Sequence, residues 1–389
     1  MLTLILGGEV FSPDYLGKKD ILIAHEKIIA IEEPNKIEIS GVQINKINAE
    51  GKKVIPGFID VHVHIIGGGG EGGPATRAPE ITLTQIIKNG VTTVIGCLGT
   101  DGITRHMESL LAKANALEKE GITTFIYTGS YQLPVKTITG SVCSDLVLID
   151  KVIGAGEIAI SDHRSSQPSF EQIAQLAAEC RVGGMLGGKA GVLHLHIGDG
   201  ERRLDYLFRL VKETEIPITQ VFPTHVNRNP SLLEHAVQFA KMGGYIDITA
   251  EEEPPAGASV LSTKEAVKYC LENNVPIERI TVSSDSNGSL PRFDEKGNLI
   301  GLTIATQETL KKGFQTLIRE KILNFSQAIR IFSTNPAHYL RLQDKGEIKV
   351  GNDADIVIID ENLEITDVFA RGKRMIGDRK ILIKGTFEN

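Results

Sequence analysis

No apolar run in this 389-residue chain approaches the length that spans a bilayer. The start, MLTLILGGEVFSPDY, carries neither a basic leader nor a cleavage site, so the cytoplasm is the expected location. Cys97, Cys143, Cys180 and Cys270 show no C-x-x-C spacing, which argues against a disulfide framework and against a thiolate metal site. An excess of basic charge is also missing. The net charge is −7 and the isoelectric point near 5.9, which argues against nucleic acid as a partner. The glycine-rich loops GGGGEGG (67–73) and GGMLGGKAG (183–191) lack both the G-x-x-x-x-G-K-[ST] pattern and the strand–turn–helix setting of G-x-G-x-x-G. Nucleotide binding is therefore not expected. No Ser/His/Asp or reactive-cysteine arrangement stands out, and there is no low-complexity linker.

What is present suits a barrel of about 250 residues with something attached. Residues 1 to about 55 hold short alternating apolar runs separated by glycine and charged turns, the pattern of a small antiparallel sheet. From residue 54 the rhythm becomes strand, loop, helix. Strands are expected at VIPGFIDVHVH, TTVIGCLGT, TTFIYTGSY, EIAISDHRS, GVLHLHIGD, ITQVFPTHV, YIDITAEE and ITVSSDSNGS. Segments such as MESLLAKANALEKEG and FEQIAQLAAECRVGG repeat apolar residues at three and four, as helices do. This alternation predicts an α/β fold, a (β/α)8 TIM-like barrel over 56–342. Helices follow at 305–319 and 326–341, and strand character returns to the end of the chain. A small β-sandwich built from both chain ends, 1–55 and 343–389, is expected beside the barrel.

The chain is organised around PGFIDVHVHIIGGGG (56–70). Asp60, His62 and His64 alternate along an apolar, β-branched segment, so period two sends all three to one side. Two imidazoles projecting together from the end of a strand make half a metal site, because neutral imidazole suits zinc and its neighbours. In a barrel the loops after the strands form the active site. Glu71, Thr100, Tyr131, Glu157, Arg164, His196, His225, Arg228, Asp285 and Ser289 fall at expected strand ends. Packing alone does not account for so many polar groups there. His194 shares a face with His196 but lies deeper, in a supporting place at most. His25, His106, His235 and His338 fall in small-sheet or helical segments and read as surface or structural. The acidic run Glu251–Glu253 before Pro254 and Pro255 reads as a solvated loop or a lid.

These motifs resemble the amidohydrolase superfamily and, within it, the isoaspartyl dipeptidases. The likeness is carried by GFIDVHVHIIGGGGEGGPATRAPE, GTDGITRHMESLLAKANAL, TGSYQLPVKTITGSV, ISDHRS, PTHVNRN, SSDSNGS and GNDADIVIID. It implies two zinc ions held by His62, His64, His196 and His225, with Asp285 as ligand and proton shuttle. It also implies that Glu71 binds the substrate ammonium and that Tyr131 polarises the scissile carbonyl. Thr100 and Ser289 would hold the isoaspartyl carboxylate, while Arg164 and Arg228 would grip that of the leaving residue. The partner is then a small dipeptide, its β-aspartyl bond attacked by a metal-activated hydroxide, and the assembly a homo-oligomer. One departure matters. Where the family supplies a carboxylated lysine, this chain has Glu157, with Lys151 and Lys189 the nearest lysines. A glutamate can bridge two metals with a shorter arm, and Gly154 and Gly156 would let the backbone move inward. Two zinc ions or one is left open. An N-acyl amino-sugar or amino-acid deacetylase of the same superfamily is the second reading, and a non-catalytic scaffold the third.

Overall fold

The computed structural model describes residues 2–252, 254, 259–293 and 298–388. Eight short strands follow one another: β1 (Phe58–Val63), β2 (Val91–Gly96), β3 (Thr123–Thr128), β4 (Val152–Ile160), β5 (Val192–Ile197), β6 (Val221–Thr224), β7 (Ile246–Thr249) and β8 (Ile280–Ser283). β1 to β6 form one parallel sheet in chain order, and β7 and β8 form a parallel pair. Hydrogen bonds cross both gaps, from Val226 N–H to Asp247 O at 3.3 Å and from His64 N–H to Ser286 O at 2.9 Å. β1, β2, β4 and β5 are buried along their whole length, which is why Val, Ile and Leu run through them and the few polar residues among them stand out.

The helices Met107–Glu120, Phe170–Gly187, Asp205–Glu213, Pro230–Lys241, Thr263–Glu272 and Glu308–Arg319 lie where periodicity expects them. Ser169 with Gln172 and Ser262 with Glu265 open two of them as reciprocal caps. Two short helices, Leu83–Ile87 and Val142–Leu148, and a hairpin of Ser289–Phe293 with Leu299–Ile304 were not expected. The segment expected as one helix at 326–341 is Phe325–Ile329, a wider turn at Arg330–Thr334, and Asn335–Tyr339. Pro336 has no N–H to return to the preceding turn, and the chain widens there. Among the described residues no helix is long and apolar enough to cross a membrane.

β4 begins earlier than the sequence suggested, so Glu157 lies within it rather than at its edge. The reason is the pair of glycines. A Cβ at Gly154 would meet Val192 O at 2.5 Å, and one at Gly156 would meet His194 Cβ and O at 2.8 Å. β4 and β5 are too close for any other residue. Ala155 pairs with Leu193 and Ile158 with Leu195, leaving one extra residue on β4. That bulge re-aims Glu157.

Both chain ends meet in one nine-stranded sheet. Leu2–Phe11 pairs antiparallel with Tyr15–Ala24 but parallel with Ile44–Asn48 and Lys53–Pro56, so the sheet is mixed rather than antiparallel. Lys53–Pro56 in turn pairs with Ile356–Ile359. Only Gly57 separates this sheet from β1. Phe58 then packs against Phe314 and Phe332, ring centroids 4.9 and 5.7 Å away, contacts worth about 0.5–1.5 kcal/mol each beyond area burial.

Candidate active site

The two oxygens of Glu157 face two different pairs of histidines. Oε1 lies 3.4 Å from Nε2 of His62 and 3.4 Å from Nε2 of His64. Oε2 lies 3.0 Å from Nδ1 of His196 and 3.5 Å from Nε2 of His225. Asp285 joins the first pair, its Oδ1 3.5 Å from His62 and 3.1 Å from His64. All six side chains are buried. Period two delivers His62 and His64 from β1, while His225 and Asp285 follow β6 and β8 in the left-handed backbone region, with φ of 62° and 52°.

Buried polar atoms ordinarily find partners, yet His62 Nε2 and Glu157 Oε1 have no hydrogen-bond partner among the described residues. Donor atoms of His62, His64, Cys97 and Glu157 lie within 4.8 Å of one another, and so do those of Glu157, His196 and His225. Imidazole, carboxylate and thiol donors converging on a buried centre fit a borderline-soft divalent cation such as zinc. The outward ring atoms are held as well. His62 Nδ1 lies 2.7 Å from His194 Nε2, and His225 Nδ1 lies 2.7 Å from Thr249 Oγ1. His194 itself stacks on Tyr127. Its supporting place thus has a definite task, fixing the ring of His62.

Burial disfavours charge on Glu157, but His62 and hydrogen bonds from His196 and His225 outweigh it and hold the carboxyl well below its usual range. Asp285 is held at about 2: burial opposes, while His64 and the charges of His225 and His62 prevail. Burial also works against charge on His62 and His64, yet the facing Cys97, Glu157 and, for His64, Asp285 keep both well above the usual imidazole value. Burial pushes His225 down to about 3. Asp60 points elsewhere. It accepts from Ser284 N–H at 3.1 Å and from Gln307, tying β1 to the chain after β8, and burial pushes it up to about 6.

Next to this centre stands a polar cluster. Glu71 accepts from Thr100 Oγ1 and from Ser289 Oγ, each at 2.7 Å, and Arg164 Nη1 stands 3.5 Å away. Arg164 is clamped by Asp162 through two bonds of 3.0 and 2.7 Å, and Asp162 also lies 3.0 Å from His196 Nε2. Arg228 Nη2 reaches the same ring atom at 3.5 Å. Tyr131 OH lies 2.9 Å from His196 Nδ1, and burial with the charge of Glu157 raises its pKa far enough to keep it a donor. The mouth beside Glu71 is lined by Gly69, Gly70, Pro74, Arg77, Thr100 and Asp101.

The residues expected at the strand ends fall in one of these two clusters, whereas Asp60, expected beside His62 and His64, is engaged by Ser284 and Gln307 instead. Two were missed. Asp162 sat inside the quoted ISDHRS, but its bridging of Arg164 and His196 depends on contacts between strands. Cys97 was set aside for want of a second cysteine nearby. Lys151 and Lys189 are engaged elsewhere, by Thr124 and Glu118 and by the carbonyls of Leu146 and Ile149. His25, His106 and His338 are exposed, and His235 is partly so. Of the acidic run, Glu252 is half-buried and accepts from Thr316 at 2.6 Å rather than lying in solvent, while Glu253 and Pro255 lie outside the described residues.

The amidohydrolase family profile matches residues 255–375. The chain is similar to the crystal structure of β-aspartyl dipeptidase from Fervidobacterium islandicum AW-1 in complex with β-Asp-Leu dipeptide, at 46% identity and a TM-score of 0.91, covering 98% of each chain. It is 27% identical to a dihydroorotase of Aquifex aeolicus over 94% of this chain and 91% of that one. Dihydropyrimidinase from Brevibacillus agri NCHU1002 shares the fold, with a TM-score of 0.68 at 16% identity, covering 99% of this chain and 97% of that one.

Proposed function

Since this chain belongs to the β-aspartyl dipeptidase family of the amidohydrolases and is a hydrolytic enzyme, a dipeptidase, we propose that it cleaves the isoaspartyl amide bond of dipeptides with free amino termini. The observation that carries this reading is the pairing of a carboxylate-split histidine centre with a cluster of one acid, two hydroxyls and two arginines beside it. A β-aspartyl dipeptide offers an ammonium, a carboxylate beside the scissile amide, and a second carboxylate on the leaving residue. Glu71 takes the ammonium, Thr100 and Ser289 the near carboxylate, and Arg164 and Arg228 the far one, charge opposite charge.

His62, His64, Glu157, His196, His225 and Asp285 would hold the metal, two zinc ions or one. Zinc supplies Lewis acidity and a coordinated water with a pKa of about 7, hence a nucleophile at neutral pH. Tyr131, kept protonated, donates to the oxygen of the carbonyl as negative charge develops on it. Asp285, ionised at neutral pH, accepts the proton of the attacking water and returns it to the departing amine. Arg164 is already aligned by Asp162, so little side-chain freedom is lost on binding.

The eight parallel strands are best read as one closed barrel over 56–342, with 1–55 and 343–389 forming a second unit of sandwich type. A homo-oligomer is proposed as well, its contact face the exposed Leu148, Val182, Met185 and Leu186. Four free cysteines suit the cytoplasm. The test is a panel of α- and β-aspartyl dipeptides. Turnover of β-linked substrates alone, abolished by chelation and restored by zinc, is expected. A preference for α-linked peptides, or full turnover after metal removal, would sink the reading.

A further inference from the structure

The geometry points to Cys97 as a ligand of the metal position on the His62–His64 side, where it completes a four-donor set with His62, His64 and Glu157. The inference rests on the metal reading above but not on the choice of substrate. Cys97 directly follows β2 and is wholly buried. Its N–H bonds to Val63 O at 3.0 Å, which fixes it against β1 between the two histidines of that strand. Its Sγ lies 3.9 Å from Nδ1 of His64, and one donor atom from each of the four residues lies within 4.8 Å of the others. A buried cysteine that merely packs is expected among apolar neighbours. Here three polar groups surround the thiol, and two of their atoms, His62 Nε2 and Glu157 Oε1, lack hydrogen-bond partners among the described residues. The contact of Sγ with Val63 O, at 3.7 Å, is long and a thiol is a weak donor, so it does not account for the placement.

Two nitrogens, one sulfur and one oxygen are donors that zinc favours, and Asp285, 3.1 Å from His64, stands on the same side as a further oxygen. The other side of Glu157 offers three donors, Glu157, His196 and His225, the number that leaves a fourth position open. The two metal positions are therefore unequal, one richer in donors through Cys97 and Asp285 and one open toward Tyr131 and the arginines. When the cation binds, the S–H bond of Cys97 breaks, its proton leaves to solvent and a metal–sulfur bond forms, with no change of oxidation state.

X-ray absorption on the zinc-loaded native chain should find one sulfur scatterer at about 2.3 Å. Cobalt added to the metal-free chain should give a thiolate charge-transfer band in the near ultraviolet with its first equivalent. Cys97→Ser keeps the volume of the side chain. It should lose that band and bind the first equivalent at least about tenfold more weakly, with circular dichroism unchanged. Metal bound at full stoichiometry without a sulfur scatterer, or a serine variant with band and affinity intact, would overturn the inference and leave the hydrolase reading standing. A chain that binds no metal would overturn the metal reading itself. Should the serine variant not fold, the sulfur scatterer of the native chain decides alone.

Discussion

The two sides of Glu157 are built from the same residue types and held in different ways. On one side His62 leans on the neutral ring of His194, and His64 stands beside a wholly buried thiol, with Asp285 in contact. On the other, His196 touches Tyr131, Asp162, Arg164 and Arg228, and Arg164 joins it to the polar cluster around Glu71. One side is packed among buried groups; the other is wired to the groups proposed to meet a peptide. The lesson is that a ligand's outer neighbours distinguish its task when the ligands themselves do not.

The sharpest way to break this contrast is to remove the group both sides share. Glu157→Ala should lose at least one metal equivalent and most activity, read by metal analysis and turnover. Bicarbonate should not rescue it, because the carboxylate is permanent and the two nearest lysines are engaged elsewhere. Bicarbonate-dependent reconstitution of the native chain would contradict that. Asp285→Asn should keep most of the metal and lose at least about 10²-fold in turnover, the usual contribution of general acid–base catalysis. Glu71→Gln touches only the substrate side. It removes a charge-assisted contact worth about 1.5–3 kcal/mol, and kcat/KM should fall accordingly with metal content unchanged. The smallest effect separates the sides by pH. His62 and His64 have raised pKa values in the metal-free fold, so their contribution to stability is present below about pH 6.5. It is lost as pH rises through the folded values. Thermal melts of the metal-free chain should fall across that alkaline window, and those of the zinc-loaded chain should not, because the metal then takes the place of the protons.

Much of this was legible from local pattern. His62 and His64 share a side because a strand has period two, and His196 near the end of β5 and His225 after β6 repeat the placement at later strands. Glu157 was found by position, but its setting was not. Gly154 and Gly156 look like a loop until β5 is laid against them. Val142–Leu148 is too short to show a helical period, and it depends on Ser141 as a cap and on Asp145 accepting from Thr139 N–H. Asp162 and Cys97 escaped for a common reason. Cys97 meets His64, and Asp162 meets His196, only across strands, and local pattern carries no record of such meetings.

The junction at Gly57 has a consequence for how the chain is made. Lys53–Pro56 pairs with Ile356–Ile359, Gly57 N–H donates to Asp355 O at 2.9 Å, and Ser333 Oγ donates to Gly57 O at 2.7 Å. Lys345 adds a buried ammonium that reaches both Thr123 of β3 and Asp355. Synthesis therefore delivers His62 and His64 well before their lateral support, since Pro56, just ahead of their strand, pairs with Ile356. The strand that begins the histidine centre waits for a partner made much later in the chain, and the centre is braced only once that partner has been made.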